Sequence, residues 1–261
     1  MSTIICLDAG HGGHDSGATG HGLLEKDLCL DRVLRMRQML MDEYEDVSVI
    51  LTRSTDVFVE LIDRANIANN AAAAVFISDH KNAFNGQARG FESYIYNGGV
   101  SQGTRNLQNA VHNKVVNVLS GYGLPNRGTK EANFSVLRNT NMSALLLEEA
   151  FIDNITDNNL MRQSNFREDY CRAVVEGVAE HLGLQRKSNG GTMMVRVEVD
   201  VLNVRSEPSW DDSAIAGQVT RGEAFTVVER VNVPGSSTDM YRLLSGLYIT
   251  TNPNYVSVIY V

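Results

Sequence analysis

Four residues near the start of the chain, Ile4-Ile5-Cys6-Leu7, form an unbroken apolar run that ends in Asp8-Ala9-Gly10-His11-Gly12-Gly13. A short apolar run with no polar alternation must be buried on both faces, as a strand inside a parallel sheet is. The glycines then break the backbone into a tight turn and present His11 at the strand's carboxyl end, where open α/β sheets place their ligands. A second run, Val75-Phe76-Ile77-Ser78-Asp79, leads in the same way to His80. Between the two lies Glu25, in the first turn of an amphipathic helix. Two imidazoles and one carboxylate fill three positions of a tetrahedral zinc site and leave a fourth for water. The same residues also fit a plainer arrangement, hydrogen-bonded strand ends and a carboxylate favoured by the helix dipole.

Taken in order, the chain alternates strands and helices over its first 180 or so residues. Apolar residues at helical intervals predict a helix over 24–44, then a strand over 48–53, a helix over 59–74 and the strand ending at His80. Phe91 to Tyr96 alternates like an outer strand, and a helix follows over about 102–119. Asn126 to Glu131 reads as a loop, Ser135 to Arg138 as a short strand, Ala144 to Glu148 as the last buried strand, and 165–183 as a closing helix. The expected fold is therefore α/β, a mostly parallel sheet with helices on both faces, over residues 1–184. Residues 185–192, Gln-Arg-Lys-Ser-Asn-Gly-Gly-Thr, contain no apolar side chain and read as a linker. Beyond them only strand signals occur, so 193–261 is expected to be a small all-β barrel or sandwich.

Charge narrows the choice of partners. The net charge is −8, with 43% apolar and 21% charged residues, which argues against a nucleic-acid partner. No apolar stretch is long enough to span a membrane, and the first residues lack a signal-peptide pattern. Synthesis in a cytoplasm, with action elsewhere only after release by a route the chain does not encode, is the expectation. Cys6, Cys29 and Cys171 have no metal-like spacing and read as reduced core residues.

Several motifs together resemble a known family. Asp8-Ala9-Gly10-His11-Gly12-Gly13, Leu51-Thr52-Arg53, Arg64, Ser78-x-His80-x-Asn82-Ala83, Gly90-Phe91-Glu92-Ser93-Tyr94, Arg127-Gly128-Thr129-Lys130 and Val136-Leu137-Arg138 occur in the order found in the zinc-dependent N-acetylmuramoyl-L-alanine amidases of bacteria and phages, the Amidase_3 type. The resemblance implies one zinc ion held by His11, Glu25 and His80. It assigns the catalytic carboxylate to Glu148, which takes a proton from the attacking water and passes it to the departing amine. Glu149 is the alternative, because successive strand residues face opposite ways and only one can point at the metal. The implied substrate is peptidoglycan, cut between N-acetylmuramic acid and L-alanine. Arg127 and Lys130 would meet stem-peptide carboxylates, and His14 and His21 would border the cleft. The chain departs from the family at Asp79, usually apolar, and at Ala150, usually glycine.

The second part resembles the bacterial SH3-like modules of wall-lytic enzymes through Val201-Leu202-Asn203-Val204-Arg205-Ser206-x-Pro208, Gly217-Gln218-Val219 and Arg221-Gly222-Glu223. That resemblance implies cell-wall binding, with Trp210, Tyr241, Tyr248 and Tyr255 either touching the ligand or filling the core. A phage endolysin and a host lysin made for mother-cell lysis both fit. So does another zinc hydrolase of the wall, a peptidase or deacetylase, which would differ in its products.

Overall fold

The computed structural model describes residues 2–187, 192–236 and 238–261, and the chain divides into two compact units, Met1–Lys187 and Ser188–Val261. The first is built on β1 (Thr3–Ala9), with β2 (Thr19–Gly20) and β3 (Leu23–Leu24) as a small hairpin before α1 (Glu25–Glu43). There follow β4 (Val47–Leu51), α2 (Leu61–Asn70), β5 (Val75–Asn82), β6 (Phe91–Tyr96), α3 (Gln102–Leu119), β7 (Asn126–Ala132), α4 (Ser135–Arg138), β8 (Ser143–Phe151), α5 (Ile155–Arg162) and α6 (Ser164–Leu182).

Six strands form one sheet in the order β4-β1-β5-β8-β6-β7. β4, β1, β5 and β8 run parallel, β6 is antiparallel to β8, and β7 is parallel to β6. Strand alternation then sorts the apolar residues. Ile5, Leu7, Val75, Ile77, Leu145 and Leu147 face a large core with α1, α3 and α6, while Cys6, Phe76, Ala144 and Leu146 face a smaller one containing Val136 and Leu137 of α4. All three cysteines are buried and free.

Three expectations need correction. Phe91–Tyr96 is an interior strand, and the outer position belongs to Asn126–Ala132, read above as a loop. An edge strand pairs on one side only and needs few apolar residues, so Asn-Arg-Gly-Thr-Lys-Glu-Ala carries no strand signal. Ser135–Arg138 is one helical turn, in which the adjacent Val136 and Leu137 enter the same core, whereas neighbours in a strand would face opposite sides. Helix α5 was absent from the sequence reading. Asn154 caps it by accepting from the Thr156 and Asp157 amides, a start signal legible in Asn-Ile-Thr-Asp.

At the end of the first unit, Gln185 to Lys187 are tied to it. The Gln185 carbonyl accepts from the Glu45 amide at 2.9 Å and the Lys187 amide donates to Glu43 O at 2.7 Å. Arg186 lies over the Tyr44 ring and pairs with Glu43 and Glu176. The rest of the expected linker, apart from Thr192, lies outside the described residues.

The second unit is one antiparallel sheet. Its strands are β9 (Met193–Val197), β10 (Val201–Arg205), β11 (Ile215–Thr220), β12 (Ala224–Val231), β13 (Met240–Leu243), β14 (Tyr248–Thr250) and β15 (Val256–Tyr260). They are ordered β11-β10-β14-β13-β12-β9-β15 around Val195, Val197, Val204, Val219, Leu243, Ile249 and Val256. Tyr241 packs on that core, whereas Trp210 and Tyr255 are exposed.

Candidate active site

The parallel strands β1, β5 and β8 bring their carboxyl ends together, and the register makes His80 the direct neighbour of Glu148. His11 stands two residues beyond β1 in a left-handed conformation, φ 59°, which costs energy for any residue with a Cβ. Two buried arginines hold that turn. Arg64 donates to the carbonyls of Ala9 and His11, and Arg53 donates to those of Ala9 and Gly10. Arg64 is in turn paired at 2.9 Å with the fully buried Asp8, which also accepts from Thr52 and Ser78. A buried charge is tolerated only when paired and hydrogen-bonded, and Asp8 meets both conditions.

On this support His11, Glu25 and His80 converge. Glu25 Oε1 lies 3.1 Å from His11 Nε2 and 2.9 Å from His80 Nδ1, and one candidate ligand atom from each residue lies within 4.8 Å of the other two. Glu25 is fixed from behind, its Oε1 accepting from the Lys81 amide and its Oε2 from the Ala18 amide. Asp15 Oδ2 accepts from His11 Nδ1 at 2.9 Å, which turns Nε2 into the cluster and leaves its lone pair there whenever the imidazole is neutral. Two glycines make the room. A Cβ on Gly10 would sit 2.4 Å from the His80 ring, and one on Gly17 would sit 2.6 Å from both Glu25 and His11.

The electrostatics favour positive charge at this point. Burial pushes Glu25 up, yet hydrogen bonds from both histidines outweigh it and hold the carboxyl well below its usual range. Burial pushes His80 down, but its bond to Glu25 raises it to about 9, and His11 is raised for the same reason. Two nitrogens, one carboxylate oxygen and a preference for a cation between them fit a divalent metal of the zinc type.

Glu148 and Glu149 part as alternation requires. Glu148 lines a cleft of about 430 Å³ with His11 and His80, walled by Phe58, Leu61 and Phe134. Its Oε2 is inaccessible and has no hydrogen-bond partner, and burial pushes the carboxyl up to about 8. Glu149 points the other way, into the main core, 3.0 Å from Arg32 and 3.1 Å from Lys81. Asp79 joins this buried group through Lys81 and through Tyr170 Oη at 2.7 Å, which accounts for a charge where the family is usually apolar. Ala150 is fully buried.

The family model described as N-acetylmuramoyl-L-alanine amidase matches residues 5–180, the whole of the sheet and its helices. The chain belongs to the N-acetylmuramoyl-L-alanine amidase family. It is 42% identical to the endolysin of Bacillus phage SPP1 over 99% of both chains. It is also 42% identical to the sporulation-specific N-acetylmuramoyl-L-alanine amidase of Bacillus subtilis, over 74% of this chain and 73% of that one. Among solved structures, the catalytic domain of the amidase CwlV from Bacillus (Paenibacillus) polymyxa matches with a TM-score of 0.65 at 31% identity, covering 70% of this chain and 99% of that one. The Clostridium difficile 630 amidase matches with a TM-score of 0.66 at 30% identity, covering 70% and 97%.

The other residues singled out in the sequence of this amidase take different places. Arg127 and Lys130, on β7, both reach the buried Glu92, Arg127 at 2.7 Å. Glu92 also accepts from Tyr94 and Asn82 and is the register partner of Glu148 across β6 and β8. His14 packs on Phe58, a wall of the cleft, with ring centroids 4.3 Å apart. His21 is bound through Nε2 to the Asp153 carbonyl and lies outside the cluster of ligands. Sequence reasoning gave no role to Asp15, Glu92 or the Asp8–Arg64 pair. Arg64 and Glu92 stood inside the family motifs, and Asp15 follows His11 within the same glycine-rich turn.

Proposed function

We propose that this amidase is zinc-dependent, that it cuts peptidoglycan between N-acetylmuramic acid and L-alanine, and that it serves as a phage endolysin. The observation that carries the reading is the convergence of His11, Glu25 and His80 on one point, with the partnerless oxygen of Glu148 in the same cleft. His11, Glu25 and His80 would hold the metal, which when bound supplies Lewis-acid activation of water and of the amide carbonyl.

The chain's own residues do the rest. Glu148 is poised as a base because burial keeps its proton affinity high, close to the optimum for proton transfer near neutral pH. It takes a proton as water attacks the amide carbonyl and returns one to the leaving L-alanine nitrogen, so that a neutral amine departs. Asp15 holds His11 in one tautomer, and the walls of Phe58, Leu61 and Phe134 keep bulk water from the reacting atoms. Arg127 and Lys130, gathered on Glu92 with their side chains about a third exposed, are placed to meet a stem-peptide carboxylate.

The second unit, residues 193–261, is read as an SH3-like wall-binding module. Its antiparallel strands, its small valine-rich core and the endolysin match that runs through both units support this. That match also favours the endolysin over a sporulation lysin, whose match spans 74% of the chain. The test is mass spectrometry of digested peptidoglycan. Intact stem peptides with free L-alanine amino ends are expected; released acetate or shortened peptides would identify a deacetylase or peptidase instead.

A further inference from the structure

The connection between β5 and β6 has to cross the carboxyl end of β8, which lies between those strands in the sheet. It therefore runs along the catalytic edge, starting three residues after His80 and passing over the strand that carries Glu148. Near its start Phe84 is 80% exposed, the most exposed large apolar side chain among the described residues.

Looseness does not explain that exposure. The amides of Phe84 and Gly86 both donate to Asp153 Oδ2, at 3.0 and 2.8 Å, and those of Gln87 and Ala88 donate to Asn85 Oδ1. Asn154 donates to the Gly86 carbonyl, and Asp157 takes Arg89 and the Gly90 amide. Hydrogen bonds thus hold the loop at both ends and the middle, and the ring is displayed by a pre-organised backbone. An apolar ring held in water at that cost is a binding element whose ordering entropy is already spent.

Chemistry identifies what it binds. Residues 83–88, Ala-Phe-Asn-Gly-Gln-Ala, carry no charge and offer an exposed aromatic face and, three residues on, the exposed side chain of Gln87. The cations suited to peptide carboxylates, Arg127 and Lys130, lie on β7 at the sheet margin, where Arg127 reaches the connection only at its far end, the Arg89 carbonyl. A neutral ring and an amide side chain on one uncharged loop match the C–H face and acetamido group of an N-acetylated sugar. We propose that Phe84 is a specificity-determining residue, a platform on which a sugar of the glycan strand stacks while the stem peptide lies towards Arg127 and Lys130.

This rests on the amidase reading, and the two can fail separately. If the wild-type enzyme releases no stem peptide from peptidoglycan, the amidase reading fails. Given activity, the test is product inhibition of wild type, Phe84→Ala and Phe84→Trp by peptide-free glycan strands and, separately, by free stem peptide. For Phe84→Ala the inhibition constant of the glycan should rise about 3- to 10-fold, the range of one aromatic stacking contact. That of the peptide should stay unchanged, with zinc content and Tm as in wild type, and Phe84→Trp should retain glycan binding. An unchanged glycan constant in Phe84→Ala, or a rise in the peptide constant instead, would overturn the proposal.

Discussion

At the scale of single residues, the catalytic role proposed for Glu148 carries a cost in stability. Its folded-state pKa lies at about 8, above the ordinary glutamate value of 4.5, so the folded protein holds a proton that the unfolded chain releases. Stability from this group is present at low pH and declines as pH rises from about 4.5 to 8. Glu148→Gln, which cannot ionise, should therefore raise the Tm of metal-stripped protein at pH 8 and change it little at pH 4.5. The same variant should bind metal stoichiometrically yet lose roughly 10²–10⁴-fold in kcat, as loss of a general acid–base does. A variant that unfolds more readily at pH 8 would show that Glu148 is a structural carboxylate. His80 shifts stability in the same sense, over a higher pH range. In metal-free protein its bond to Glu25 raises it to about 9, so that stabilisation is complete below the ordinary imidazole value and is lost as pH passes about 9. Metal must displace that proton, and apparent zinc affinity should climb about tenfold per pH unit below that point for each proton displaced. Calorimetry in buffers of different ionisation enthalpy counts the protons released.

At the scale of elements, β5 is a partition. His80 faces the cleft, while Asp79 and Lys81 face the core and tie into Glu149, Arg32 and Tyr170. Lys81→Met would leave Asp79 buried with only Tyr170 to bond, so a loss of about 3–5 kcal/mol in urea unfolding is expected. A change below 1 kcal/mol would mean the group is solvated. Much of this was legible in advance. The apolar runs ending at His11 and His80 defined the central strands, and alternation separated Glu148 from Glu149 before any coordinates. What stayed hidden depended on partners that only the folded chain brings together. β7 is a strand only because β6 offers it an edge, and Asp79 is tolerable only because Lys81 and Tyr170 reach it. Asp15 looked like any turn acid until the turn folded it onto His11.

At the scale of the whole molecule, the chain carries −8, and five arginines against eight acids leave the part after residue 190 at −3 and the part before it at −5. A catalytic unit of that charge is repelled by anionic wall polymers, most at low salt, where the Debye length is ~30 Å at 0.01 M against ~10 Å at 0.1 M. A wall-binding module offsets this by raising effective concentration. A chain ending at Lys187 keeps the Arg186 and Lys187 contacts to Glu43 and should fold, bind zinc and cleave soluble muropeptides normally. It should lyse whole cells poorly, with a deficit that shrinks as salt rises. Equal lysis by the short and full chains at low ionic strength would remove the targeting role.

The most direct measurement of the central claim is a zinc titration of metal-depleted full-length protein, following the L-alanine amino ends released from peptidoglycan. Activity should be absent at the start, rise linearly and level off at one equivalent of zinc, and His80→Ala should stay inactive throughout. Full activity in the depleted protein, or recovery by His80→Ala at one equivalent, would contradict the account.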